Sequence, residues 1–67
     1  MLLKINGKEV TVPENIATVE ALLEHLGLAS KIVVVEKNNV ILEKISHFET
    51  TVFDGDQIEI VTFVGGG

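Results

Sequence analysis

Thr18-Val19-Glu20-Ala21-Leu22-Leu23-Glu24-His25-Leu26-Gly27 is the stretch that decides the fold. Within it Val19, Leu22, Leu23 and Leu26 recur at i, i+3, i+4 and i+7, the spacing that lines apolar side chains along one stripe of a helix. Thr18 stands where a hydroxyl can cap the first turn, and Gly27 where a left-handed residue can end the last. The helix is about two turns long. An element so short covers one face of a sheet and leaves the other open.

Strand patterns lie on both sides of it. Upstream, Leu2 to Ile5 and Glu9 to Val12 flank Asn6-Gly7, the dipeptide that most readily takes the positive φ angles of a type I′ hairpin. Pro13 has no N–H for a ladder, so the second strand stops near Val12. Downstream, Ile32 to Val35 is β-branched without polar interruption, the pattern of a strand buried in mid-sheet. Lys37, Asn38 and Asn39 mark a turn and Val40 to Leu42 a short return strand, while residues 43–52 alternate too weakly to assign. Asp54-Gly55-Asp56 is a sharp polar turn. Ile58 to Val64, the longest strand candidate, runs directly into Gly65, Gly66 and Gly67. Hairpin, helix, then further strands is an α+β order, a ubiquitin-like β-grasp with one main helix packed on one face of a mixed sheet. Residues 1–64 form this single domain and residues 65–67 a flexible C-terminal glycine tail.

Period-two alternation on the last strand puts Ile58 and Ile60 on one side and Glu59, Val61 and Phe63 on the other. Two readings follow for Val61 and Phe63. They form a partner surface on the open face, or the strand is central and buried on both faces near its end.

Size and composition narrow the function. A chain of 67 residues makes one domain, and a domain this small removes only about 60% of its unfolded surface from water. Its 46% hydrophobic content with no Cys calls for a core of Val, Ile and Leu without disulfides, the composition of a reduced, cytoplasmic protein. No cleavable apolar leader precedes the first strand and no apolar run approaches a membrane span. The formal net charge of −5 argues against nucleic acid and favours a monomer alone; it suits either a basic protein partner or solubility in general.

Catalytic constellations are nearly absent from a chain with two His and no Cys, Tyr or Trp. His25 sits where an imidazolium favours the helix dipole, and neither it nor His47 has further ligands at motif spacing, so no metal site is expected. Asp54 and Asp56 read as turn residues because a calcium loop needs more oxygen ligands than they supply. Three glycines after a strand, by contrast, bring no core side chain and are costly to order. Extended, they reach roughly 10 Å. Such a strip can thread a narrow channel and present the Gly67 carboxylate to another protein's active site, or it can be a plain disordered terminus. A carboxylate must be activated before it transfers its acyl group, for example as an adenylate with AMP as leaving group. With no GxxxxGK[ST] or GxGxxG, the chain binds no nucleotide itself, and ATP belongs to a partner. Without Cys, sulfur can be carried only on the terminal acyl group, as a thiocarboxylate.

Over essentially its whole length the chain resembles the ThiS sulfur carriers of thiamin thiazole biosynthesis. The resemblance rests on Leu3-Lys4-Ile5-Asn6-Gly7-Lys8, on Thr18 through Leu23, on Lys31-Ile32-Val33-Val34-Val35-Glu36 and on Asp54 through Gly67. The DGD turn, strand and glycine pair are shared with molybdopterin-synthase small subunits, whereas the length and the FVGGG ending favour ThiS. The resemblance implies that an E1-like adenylyltransferase, ThiF, adenylates Gly67 with ATP. A desulfurase-derived persulfide then supplies sulfur, and thiazole synthase, ThiG, receives it. Gly66 and Gly67 match the family's glycine pair and Gly65 extends it; residues 37–49 match least. A carrier for molybdopterin or another sulfur product, and a β-grasp interaction module that is never activated, are the alternatives.

Overall fold

The computed structural model describes residues 1–63; the last residue of the expected domain and the glycine tail, residues 64–67, lie outside the described residues. Five strands and one α-helix follow one another as β1 (Leu2–Ile5), β2 (Lys8–Thr11), α1 (Val19–His25), β3 (Ile32–Lys37), β4 (Val40–Leu42) and β5 (Gln57–Phe63), with a turn of 3₁₀ helix at Lys44–Ser46. The sheet order is β2-β1-β5-β3-β4. β5 runs parallel to β1 and antiparallel to β3, which makes the sheet mixed as expected.

Local chemistry sets each corner. Asn6 and Gly7 at φ 51° and 82° close β1 onto β2, and Asn38 and Asn39 at 49° and 71° close β3 onto β4. Both pairs have the positive angles of a type I′ turn, whose twist matches that of the strands it joins. Thr18 caps α1 through Oγ1, which accepts from the Ala21 N–H at 3.1 Å. At the other end Leu28 N–H donates to the Leu23 carbonyl and Gly27 N–H to that of Glu24, a complete Schellman stop with Gly27 at φ 76°.

Val19, Leu22 and Leu23 are buried and pack with Leu3, Ile5, Val35, Ile58 and Ile60 of the sheet; Leu26 packs half-buried at the edge of this core. One expectation is corrected here. Ile32 to Val35 is not a strand buried on both faces: Val35 is buried, while Ile32 and Val34 are exposed. The reason is the helix, which covers one face only, so the run alternates in environment although not in sequence.

Residues 43–52, unassigned from the sequence, are a strap across the start of α1. The carbonyl of Thr50 accepts from Val19 N–H and that of His47 from Glu20 N–H, and the N–H of Val52 donates to the Ala17 carbonyl. They satisfy helix N-terminal donors that the cap alone cannot reach. No described helix is long and apolar enough to cross a membrane.

Candidate functional site

The strand that leads to the glycines is held at three points by side chains. At its start the buried Asp56 carboxylate accepts from Phe53 N–H at 2.8 Å and from Asn38 Nδ2 at 3.1 Å, with Lys37 Nζ at 3.7 Å. Asn38 Oδ1 in turn accepts from Gln57 N–H at 2.9 Å. Further along, the β1–β5 register stops at Ile5 and Ile58, and the side chain of Asn6 takes over: Oδ1 accepts from Ile60 N–H at 2.7 Å and Nδ2 donates to the Ile60 carbonyl at 3.1 Å. A side-chain amide here imitates one more residue of backbone. Asp54 closes the preceding turn onto β1, accepting from Leu2 N–H at 2.6 Å. Both aspartates of the DGD turn are thus engaged in structure, as their spacing suggested.

Held in this way, β5 presents Ile58 and Ile60 to the core and Val61 and Phe63 to solvent, at 53% and 51% exposure. The reading in which the strand end is buried on both faces is excluded by this exposure. In register, Val61 lies opposite Val34 and Phe63 opposite Ile32. All of them are exposed, so they form a compact apolar block on the uncovered face where β5 ends. Glu36 and Glu59 pair behind it, and Ile41 continues the row onto β4. Gly65, Gly66 and Gly67 fall outside the described residues.

Ile32 and Val34 were not legible as part of this surface, since an unbroken apolar run carries no sign of which side is covered. The signal lay elsewhere, in a helix too short to cover two faces. Asn6 and Asn38 were legible as turn residues but not as clamps on β5.

Of the histidines, His25 is exposed in the last turn of α1. His47 is 2% exposed, and its Nε2 has no hydrogen-bond partner among the described residues. Among those residues no group of three or more His, Cys, Asp or Glu is arranged to hold a metal ion. What the described residues bring together is the exposed apolar block of Ile32, Val34, Val61 and Phe63 at the end of β5.

Known proteins place this geometry. The sequence matches the ThiS family over residues 2–67. It is 44% identical over 66 residues to the sulfur carrier protein ThiS of Bacillus subtilis, covering 98% of this chain and 100% of that one. It is 49% identical over 67 residues to a thiazole synthase of Paramagnetospirillum magneticum, of which this chain spans only 20%. The crystal structure of the thiamine biosynthesis protein ThiS from Geobacter metallireducens superposes with a TM-score of 0.83 at 42% identity, over 100% of both chains.

Proposed function

The chain belongs to the ThiS family, the sulfur carriers of thiamin biosynthesis, and from that membership we propose that its working group is the carboxylate of Gly67. The observation that carries this reading is the exposed block of Ile32, Val34, Val61 and Phe63, which sits at the end of the strand that feeds the glycines. A partner that grips this block has the tail within reach of its active site. An adenylyltransferase of the ThiF type transfers AMP from ATP to the carboxylate and releases pyrophosphate. A persulfide then attacks the acyl carbon and expels AMP, which leaves an acyl disulfide, and a thiol attacks the donor's sulfur in that disulfide, forming a new disulfide with the donor and releasing the thiocarboxylate. Thiazole synthase is the acceptor, consistent with the thiazole synthases that contain a segment similar to the whole of this chain. Gly65 and Gly66 serve as the side-chain-free thread into each site, and the ATP and sulfur donor belong to the partners, in the cytoplasm.

Intact mass spectrometry tests the proposal after incubation with ATP, the cognate adenylyltransferase and a sulfur source. Replacement of one oxygen of the C-terminus by sulfur is the expected result. An unchanged mass, with activity that survives blocking of the carboxylate, leaves a β-grasp interaction module instead.

A further inference from the structure

β4 pairs with β3 only as far as Val35↔Leu42, and the chain then turns into the 3₁₀ helix at Lys44–Ser46 instead of continuing along β3. Beside the start of β3 lies a small pocket of about 50 Å³, walled by Glu20 and Leu23 of α1 together with Lys31, Ile32, Lys44 and His47. That is far below the roughly 300–1,000 Å³ of a small-molecule site, so it takes the tip of one side chain. Its charge runs against that of the chain. The whole sequence has ten Asp and Glu to five Lys, whereas this lining has two Lys to one Glu. Both lysines are exposed, and neither pairs with a carboxylate among the described residues, where the ion pairs are Met1 with Glu14 and Lys37 with Asp56. The inner wall is His47, buried, with its Nε2 unpartnered among the same residues. Two unpaired cations around a recess with an unpartnered polar atom in its wall suit an acidic group from outside.

We propose that this pocket receives one acidic side chain of the adenylyltransferase, an Asp or Glu whose carboxylate pairs with Lys31 and Lys44. The pairing rests on the carrier role proposed above. Ile32 belongs to the pocket as well as to the apolar block, so an enzyme that covers the block stands at the pocket's mouth. The enzyme that adenylates the tail must also hold ATP, and the groups that bind its phosphates make that site basic. A basic site attracts a carrier of net charge −5 in many orientations. One pair of the opposite sense, acid on the enzyme and base on the carrier, disfavours every orientation except the one that leads the tail inward.

Calorimetric titration of the full chain onto the cognate adenylyltransferase, with ATP–pyrophosphate exchange as the chain is varied, tests this directly. Lys31→Glu combined with Lys44→Glu should raise Kd and KM about tenfold, with kcat and the melting curve unchanged. Lys8→Glu, on β2 and outside the pocket lining, should bind as well as wild type or better, because it only adds to the acidity that a basic site attracts. In the wild-type complex the His47 imidazole and Leu23 methyl resonances should shift from their free positions; in the complex of the double variant they should not. If wild type binds and is adenylated, yet the double variant binds as tightly or the His47 and Leu23 resonances stay at their free positions, the pocket receives no acidic group and the carrier role stands without it. If the wild-type chain is neither bound nor adenylated, both fall together.

Discussion

Replacing Asn6 probes whether β5 is held by a side chain acting as backbone. The amide makes two hydrogen bonds to Ile60, at 2.7 and 3.1 Å, on the central strand three residues before Phe63. A net value of about 0.5–1.5 kcal/mol per bond gives about 1–3 kcal/mol for their loss, with solvent beside the exposed Asn6 favouring the lower half. Asn6 also sits at φ 51°, where an alanine adds about 1–2 kcal/mol of left-handed strain that glycine does not. Asn6→Gly should therefore cost about 1–3 kcal/mol and Asn6→Ala about 2–5 kcal/mol, out of a total that for a domain of this size is of order 3–10 kcal/mol. Urea denaturation measures both, and hydrogen exchange at the Ile60 amide should speed up in each variant. If Asn6→Gly stays within about 0.5 kcal/mol of wild type and Ile60 remains protected, the side-chain clamp contributes nothing and the reasoning about how β5 is held is refuted.

Leu22→Ala removes a side chain with 0% exposure at the centre of the helix stripe and should cost about 2–5 kcal/mol, whereas Leu26→Ala, half-buried, should cost visibly less; equal losses in chemical denaturation would mean the core is misplaced. Phe63→Ala should leave stability nearly intact, because the ring is half exposed, but weaken calorimetric binding to the adenylyltransferase; unchanged affinity removes Phe63 from the docking surface. Deletion of Gly67 withdraws the carboxylate by up to about 3.6 Å and should cut ATP–pyrophosphate exchange by on the order of 100-fold or more without moving the melting curve. Gly66→Val keeps reach and carboxylate but adds a branched side chain, and full activity in both tail variants would end the carrier mechanism.

Wherever one residue's own stereochemistry was enough, the sequence determined the outcome. Asn6-Gly7 and Gly27 reach positive φ at low cost, Thr18 carries its own cap, and the i, i+3, i+4 spacing of Val19, Leu22 and Leu23 points one stripe inward whatever surrounds it. Alternation on β5 likewise placed Val61 and Phe63 opposite Ile58 and Ile60 before any fold was known. The three glycines after β5 were also legible as chain that brings no side chain to a core. Tertiary structure alone decided the rest. Which side of Ile32–Val35 meets water depends on where a single helix lies, the use of residues 43–52 depends on helix donors some thirty residues away, and Asn6 becomes a clamp only when β5 arrives beside β1. Each of these is set by a distant partner's position, and distance along a chain leaves no local trace in its residues.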